Sequence, residues 1–422
     1  MNYERIDMGA YNLHLIMTKR FKTVTVEVNF REKFKKENIT KRNLLKTVMI
    51  NTNKTFKTEK ELIKETEILY DLKLLSSNMR IGNYSNLSFK IRFLNEKYSE
   101  QSMNDYSISF LLDIIFNPDI ENNKFRNDIV LSCKNKLEKS IKSLKDNKLK
   151  YTLIKLLETT KTKPYSYNSY GYLEDLEKIN EQTLYDYYKE MINDNYVDVF
   201  VVGDINKDEI KKIFKEKFKI NTFKKVNKNI LVEELKPRKR ILKKKELDKA
   251  NQTQLTILCN LNKLTEFERK YTLLVYNELL GGSSNSLLFE TVREKNSYAY
   301  YINANCKPYD NIMMIYSGIE PGNSEPVLKL IRKTLQNINK GLFEDTLLNN
   351  AKETIISSIK SSKDSPAGII NTYYAKELVD SKTFEERIEN ISKITKEDII
   401  HLSKKIMLHT VYILEGEQNG ED

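Results

Sequence analysis

The chain has 422 residues, of which 40% are hydrophobic and 31% are charged. This composition predicts a folded protein with enough apolar side chains for two ordinary domains, and it excludes an intrinsically disordered chain. The 71 basic and 59 acidic residues give a formal charge of +12, but they are interleaved as on solvated helix faces and no zinc knuckle or RNP-like stripe accompanies them, so we expect no nucleic acid partner.

The chain carries no sign of membrane insertion or export. No run approaches the roughly 18 apolar residues that a membrane span needs, and Glu4 and Asp7 lie where a signal peptide would carry only positive charge. The three cysteines, Cys133, Cys259 and Cys306, are far apart and odd in number. They argue against a disulfide framework and fit a reducing compartment. We therefore expect a soluble cytoplasmic protein without a membrane partner.

Hydrophobic periodicity predicts both helices and strands along the chain. A helix is predicted over residues 40–50, with Thr40 as its cap and a buried stripe of Leu44, Leu45, Val48 and Met49. A second helix is predicted over 59–72 and another over 327–338. Residues 88–94 alternate like a half-buried strand, and residues 198–202 are typical of a fully buried strand.

An internal repeat organises these elements. The chain reads KINEQTLYDYYKEMINDNYVDVFVVGD near its middle and KITKEDIIHLSKKIMLHTVYILEGE near its end. Each copy has a cap, an amphipathic helix and an apolar strand that ends in glycine and an acid. Ile179 and Ile394 head the two copies, so the period is 215 residues (394 − 179). A period of this length indicates a duplicated domain rather than a solenoid.

The repeat predicts an α+β protein with two homologous halves. We place the first domain at 1–222, a Lys-rich linker interrupted by Pro237 at 223–245, and the second domain at 246–422. The two kinds of element do not alternate strictly. Each half is therefore expected to have an antiparallel-type sheet that is covered by helices on one face.

One stretch of the second half resembles a known family signature. Residues 279–300 read LLGGSSNSLLFETVREKNSYAY. This stretch is similar to the LGGG-SSRLF-x-x-VREK-x-x-x-AY signature in the C-terminal half of M16 (pitrilysin/insulinase-type) peptidases. VVGD at 201–204 and FNPD at 116–119 extend the resemblance to the first half. The resemblance implies a LuxS/metallopeptidase-like fold whose two halves form a clam shell.

The resemblance also directs attention to a missing zinc motif. Active M16 members carry H-x-x-E-H on a helix, in which both histidines bind zinc and the glutamate activates water. In this chain the two histidine positions hold Asn43 and Thr47, and the base position holds Lys46. The third ligand, a glutamate, is expected within 130–134, where no acid is present. We therefore expect no metal or other cofactor in this chain.

The retained motif implies a role in a complex. By resemblance, Arg293 and Tyr300 would act in trans, holding the substrate backbone and stabilising the oxyanion. Gly281, Gly282, Ser283 and Ser284 would contact substrate. A purely structural role is the alternative: Arg293 could form an ion pair with Glu290 or Glu294, and Tyr300 could be a half-buried strand residue.

Three functions remain open at this point. The first is a catalytically incompetent subunit that forms a heterodimer with an H-x-x-E-H-bearing M16 chain. The partner would hold the zinc, and the pair would process or degrade short unfolded peptides. The second is a non-enzymatic pseudopeptidase scaffold or peptide-binding protein, as in the non-zinc M16 proteins associated with elongation-factor-P modification or ribosomal-peptide maturation. The third is an active homodimeric peptidase, which Asn43, Lys46 and Thr47 disfavour.

Overall fold

The computed structural model describes residues 1–100, 102–220 and 229–417. The chain divides into two compact units. The first comprises Met1–Lys142, Ser169–Asn229 and Asp364–Asn371, and the second comprises Ser143–Asn168, Ile230–Lys363 and Thr372–Asp422. Of the predicted linker 223–245, residues 223–228 lie outside the described ranges, and from Ile230 onward the chain belongs to the second unit.

The first unit is built on a six-stranded mixed sheet. The strand order is β1-β2-β8-β3-β5-β4; β2 and β8 run parallel, and the other neighbours are antiparallel. A two-stranded ribbon, β6-β7, stands apart from it. The strands are β1 (Asn2–Asp7), β2 (Asn12–Met17), β3 (Thr23–Lys33), β4 (Lys73–Ile81), β5 (Tyr84–Leu94), β6 (Ile120–Glu121), β7 (Lys124–Phe125) and β8 (Tyr196–Gly203).

The helices of the first unit contribute to one apolar core with the sheet. They are α1 (Lys36–Met49), α2 (Glu59–Ile68), α3 (Met103–Phe116), α4 (Asn127–Lys142), α6 (Leu173–Lys178), α7 (Glu181–Asp194) and α8 (Lys207–Lys217), with a 3₁₀ turn at Glu96–Tyr98. Strand β3 shows how the sheet is sided, because Val26 and Val28 enter the core whereas Glu27 and Asn29 point to the opposite face.

The second unit repeats this strand arrangement. Its sheet has the order β9-β13-β10-β12-β11, again with one parallel pair, β9 and β13. Position by position it matches β2-β8-β3-β5-β4 of the first unit, so the helix-then-strand repeat headed by Ile179 and Ile394 is confirmed in the topology. The strands are β9 (Leu242–Leu247), β10 (Thr253–Leu261), β11 (Ala299–Lys307), β12 (Ile312–Ile319) and β13 (Ile406–Glu415).

The helices of the second unit include three π-helical segments, at Glu268–Thr272, Glu278–Gly282 and Phe289–Glu294. The α-helices are α5 (Lys148–Thr160), α9 (Leu273–Asn277), α10 (Ser324–Asn339), α11 (Asp345–Ser362), α12 (Pro366–Val379, which crosses the unit boundary at 371–372), α13 (Phe384–Ser392) and α14 (Lys396–Ser403). Short 3₁₀ turns lie at Ser143–Lys145 and Pro308–Asp310. None of the helices within the described ranges is long and apolar enough to span a bilayer.

Helix α5 departs from the predicted organisation. The boundary at 222 assigns it to the first half, but it packs against β10 and β13 of the second unit. Leu156 and Tyr165 form a small core there with Leu258, Met314 and Tyr412. The α+β class is confirmed. The prediction that helices cover only one face of the sheet is too simple for the second unit. Strand β10 is buried along its whole length, because the main core covers one face and α5 covers the other.

Two predicted helix boundaries also need correction. Helix α1 begins at Lys36, so Thr40 lies inside it and is not its cap. The Thr40 hydroxyl instead accepts a hydrogen bond from the main-chain N–H of Tyr172, at 3.1 Å. Helix α2 ends at Ile68 rather than residue 72, because Tyr70 and Asp71 adopt positive φ values that a helix cannot contain.

Candidate functional site

Helix α1 carries the three residues that the resemblance places at the zinc motif, and the first of them, Asn43, is hydrogen-bonded within the protein. Asn43 is buried, and its Nδ2 donates to the main-chain oxygen of Ser169 at 2.8 Å. Its Oδ1 accepts from Nδ2 of Asn78, on β4, at 3.2 Å. Both ends of the carboxamide are therefore engaged in hydrogen bonds within the first unit.

The base position is occupied by a partly desolvated amine. Lys46 is half-buried, and burial lowers the pKa of its ammonium group. No hydrogen bond or ion pair reaches that ammonium from the residues that the structure describes. The Lys46 main-chain oxygen accepts from the Ser76 hydroxyl at 3.0 Å, which fixes this turn of α1 against β4. In its charged form the side chain repels a dication, and it offers no carboxylate to activate water.

The remaining two ligand positions meet where α1 and α4 pack together. The Thr47 hydroxyl donates to the main-chain oxygen of Asn43 at 3.3 Å. Asn51 donates to the Thr47 main-chain oxygen at 2.6 Å and also lies 3.6 Å from Sγ of Cys133, on α4. Burial raises the pKa of the Cys133 thiol to about 11, so it is protonated near neutral pH. A single cysteine beside Asn43 and Thr47 does not supply the three protein ligands of a catalytic zinc site.

These residues do not fit zinc. Asn43 and Thr47 use their polar atoms internally, Lys46 brings a positive charge, and Cys133 stays protonated. Across the described ranges, no group of three or more His, Cys, Asp or Glu side chains is placed to share a metal ion.

A buried arginine, which the sequence patterns did not single out, sets the position of α1. Arg42 is fully buried, and its guanidinium donates to the Phe30 main-chain oxygen at 2.6 Å and to Asn195 Oδ1 at 2.8 Å. It also lies 3.3 Å from Glu32 Oε1, which accepts from the Tyr187 hydroxyl at 3.1 Å. In the local sequence Arg42 is indistinguishable from a basic surface residue.

In the second unit, Arg293 lies on the π-helical segment Phe289–Glu294 with its side chain exposed. Its guanidinium lies 4.8 Å from the centre of the Phe289 ring. The structural alternative of an ion pair with Glu290 is not found, because Glu290 instead binds Lys295, with Nζ to Oε1 at 2.6 Å. Within the described part of the chain, Arg293 has no carboxylate partner.

Tyr300 lies at an irregular point of the outer strand β11. The pairing of β11 with β12 shifts register between Ala299 and Tyr301, so Tyr300 sits at a bulge. Its side chain is 55% exposed. The neighbouring Tyr301 is different, since its hydroxyl donates to Oε1 of Gln254 and burial raises its pKa to about 12. Of the two tyrosines, Tyr300 is therefore the one that presents its hydroxyl to solvent.

Comparison with known proteins shows what this chain is similar to. The family model described as Peptidase M16 inactive domain matches residues 178–355, which include the whole Arg293 to Tyr300 segment. The probable inactive metalloprotease YmfF of Bacillus subtilis (strain 168) is 27% identical over 419 residues, which are 98% of this chain and 97% of that protein. The chain is a homologue of M16 peptidases.

Solved structures place this M16 homologue among proteins of the same fold. A conserved protein from Enterococcus faecalis V583 matches with a TM-score of 0.91 and 26% identity over 100% of both chains. A peptidase M16 inactive domain from Pseudomonas fluorescens matches with a TM-score of 0.80 over 99% of this chain and 98% of that chain, at 15% identity. The description of YmfF, whose match covers α1, agrees with the residues found there, and this chain is an inactive M16 homologue.

The glycine turn of this M16 homologue divides into a buried and an exposed part. A Cβ on Gly281 would lie 2.8 Å from the main-chain nitrogen of Ala304 in β11, so its lack of a side chain serves packing within the unit. Gly282 and Ser284 are exposed, and Ser283 is half-buried. Contact of these four residues with substrate stays a prediction, and Gly281 is the least accessible of them.

Proposed function

We propose that this chain is the metal-free subunit of a two-chain M16 peptidase in the cytoplasm. It would form a heterodimer with an H-x-x-E-H-bearing M16 chain, and the pair would process or degrade short unfolded peptides. One contrast carries the proposal. The side chains of Asn43 and Thr47 form hydrogen bonds within the chain. In contrast, Arg293 and Tyr300 are exposed and have no ion-pair or hydrogen-bond partner in the described ranges.

Arg293 and Tyr300 suit the stabilisation of negative charge. A guanidinium offers several N–H donors in a fixed plane, and a phenol hydroxyl offers one more. Donors aimed at a developing oxyanion stabilise the transition state more than the ground state. In this proposal the partner supplies zinc, which activates water, and the general base. This chain supplies the guanidinium, the phenol and part of the surface that holds the peptide.

The outer strands provide a physical basis for peptide recognition. Strands β4 and β11 each form one end of a sheet. An extended peptide can add to such an edge through main-chain hydrogen bonds, which favours unfolded substrates over folded ones. Side chains along β4 alternate between more and less exposed, as expected for an outer strand, and Leu75 and Met79 are 57% and 61% exposed.

The first experiment is reconstitution. Zinc content and hydrolysis of a quenched fluorescent peptide are measured for this chain alone, for an H-x-x-E-H chain from the same genome, and for their mixture. We expect no stoichiometric zinc and no hydrolysis for this chain alone, with hydrolysis and a 1:1 complex on mixing. A mixture with neither complex nor added activity favours the scaffold function. Stoichiometric zinc and peptide hydrolysis by the lone chain would contradict both the metal-free subunit and the scaffold function.

A further inference from the structure

A groove in the second unit has an unusual concentration of positive charge. It has a volume of about 650 Å³ and lies between helix α10 and the turn that leads into β11. We call it the basic groove, and its principal lining residues are Asn296, Tyr298, Lys329, Leu330, Arg332 and Lys333. Two of these, Asn296 and Tyr298, fall between Arg293 and Tyr300 in the sequence.

Three cations of the basic groove are free of counter-charges. Lys329, Arg332 and Lys333 are spaced at i, i+3 and i+4, which places them on one face of α10. None of them forms an ion pair or hydrogen bond with a described residue. In Arg332, the Nε–H group is buried and lacks a hydrogen-bond acceptor, which is an unfavourable state for a guanidinium donor.

The single acidic residue of the lining does not neutralise these cations. Glu325 already pairs with Lys243, whose Nζ lies 2.7 Å from Oε1. The rest of the wall is apolar or aromatic, with Pro326, Leu328 and Leu330 on one side and Tyr298 on the other. The basic groove therefore combines three unpaired cations with surface that can contact the uncharged part of a ligand.

We propose that the basic groove binds a carboxylate of the peptide substrate, either its C-terminal carboxylate or an acidic side chain. This inference rests on the proposed function in taking the ligand to be a peptide. Guanidinium and ammonium groups form short charge-assisted hydrogen bonds with carboxylates, and Lys329 and Lys333 present exposed ammonium groups in the groove. The apolar wall and the clustering of the cations on one helix face suit a peptide end or side chain better than a nucleic acid backbone, which needs cations spread along an extended surface.

The site also specifies where the peptide would lie. Because Asn296 and Tyr298 line the groove, a carboxylate bound there is held beside the entry to β11. From that point an extended peptide can continue along the outer edge of β11, where Tyr300 is exposed at the bulge. The basic groove would thus fix the register of the peptide relative to the strand that carries Tyr300.

The test measures peptide binding to the full chain alone. Fluorescence anisotropy follows a labelled, extended ten-residue peptide that carries two glutamates and a free C-terminus. Companion peptides have an amidated C-terminus, glutamines in place of the glutamates, or both changes. The groove variant is Lys329→Glu/Lys333→Glu. The control variant, Lys340→Glu/Lys404→Glu, makes the same change in net charge at two exposed lysines that do not line the groove.

We expect the groove variant to weaken binding about tenfold while the control changes it by less than about twofold, because only the groove cations contact the ligand. A loss on amidation identifies the C-terminal carboxylate, and a loss on glutamine replacement identifies acidic side chains. Circular dichroism checks that both variants are folded, and Lys329→Ala/Lys333→Ala serves if the reversed charges disturb α10.

Several outcomes overturn the inference. These are absent binding of every peptide, equal weakening by groove and control variants, unchanged affinity in the groove variant, and groove-dependent binding of a DNA oligonucleotide but not of peptides. Failure of the proposed function is distinguishable. Suppose that the lone chain binds peptides through the groove but the mixture with the partner chain does not hydrolyse them. That result contradicts the two-chain peptidase and supports the groove assignment. If the mixture hydrolyses peptides, depends on Arg293 and is unaffected by either groove variant, the two-chain peptidase is supported and the groove assignment is contradicted.

Discussion

The side-chain nitrogen of Asn51, just beyond the C-terminal end of α1, lies 3.6 Å from the sulfur of Cys133 on helix α4. Asn51 also donates to the main-chain oxygen of Thr47, so the contact brings the last predicted ligand position of α1 close to the segment 130–134. That segment is where the family resemblance places the third zinc ligand. The structure therefore brings together the segments in which the resemblance places the zinc ligands.

Restoring the α1 motif alone is expected not to restore activity. The variant Asn43→His/Lys46→Glu/Thr47→His supplies two ligands and a base but leaves Cys133 buried and protonated. It also removes the Asn43 hydrogen bonds to Ser169 and Asn78. We expect neither stoichiometric zinc by mass spectrometry nor peptide hydrolysis. The same variant with Cys133→Glu added is the comparison, and turnover by the triple variant would show that the third ligand lies elsewhere.

Removing the exposed donors of the second unit is expected to slow the two-chain enzyme without dissociating it. Arg293→Ala should lower kcat by about 10²-fold, the effect of deleting one oxyanion donor, and Tyr300→Phe should lower it by about tenfold. Assembly is followed by size-exclusion chromatography. Lys295→Ala, on the turn that follows the same π-helical segment, is the matched control. If turnover survives both changes unaltered, the motif has a structural role only.

The Arg42 network is expected to govern the stability of the first unit. Arg42→Ala leaves the Glu32 carboxylate buried without its cation, and such a change typically lowers the free energy of unfolding by about 3–5 kcal/mol. Urea denaturation measures the shift. Lys60→Ala, an exposed change on α2, should move the midpoint little. The double change Arg42→Met/Glu32→Gln should recover part of the loss, and no recovery would mean that packing rather than charge explains the effect.

The Cys133 thiol predicts a pH dependence above neutrality. Burial raises its pKa to about 11, whereas a thiol in the unfolded chain ionises near about 8.5. Its stabilising contribution is therefore complete below the lower value and is lost as pH rises towards 11, by about 1.4 kcal/mol per pH unit between the two. Urea denaturation at pH 8 and pH 10 should show a larger loss for wild type than for Cys133→Ser. Equal losses of unfolding free energy in wild type and Cys133→Ser would show that other groups titrate over this pH range.

The sequence predicted most of what depends on local pattern. The repeated helix and strand were visible because capping residues and apolar periodicity lie within about 25 residues, and the topology repeats them in β8 and β13. The replacements at Asn43, Lys46 and Thr47 could be found because their spacing on one helix is fixed. The role of Arg42 could not be predicted, because a basic residue is typical of a protein surface and its partners on β3 and α7 are far away in the sequence.

Non-local packing limited the rest. The residues of α5 give an amphipathic pattern, but no local feature of the sequence states which sheet it covers, and so the boundary at 222 assigned it to the first half. The basic groove was hidden for a similar reason. In the sequence, Lys329, Arg332 and Lys333 are indistinguishable from an ordinary solvated helix face. Only the fold brings Asn296 and Tyr298 to the same groove.

The placement of α5 has a consequence for how the protein is made. The ribosome completes Lys148–Thr160 long before it reaches β10, at Thr253–Leu261, so this helix must wait, with Leu156 uncovered, while the intervening chain is synthesised. Two separately expressed halves cut at 222 would carry the opposite defects, an apolar helix without its sheet and a sheet with Leu258 and Met314 bare. Although its two sheets repeat one another, neither half cut at 222 contains the complete core of a folding unit.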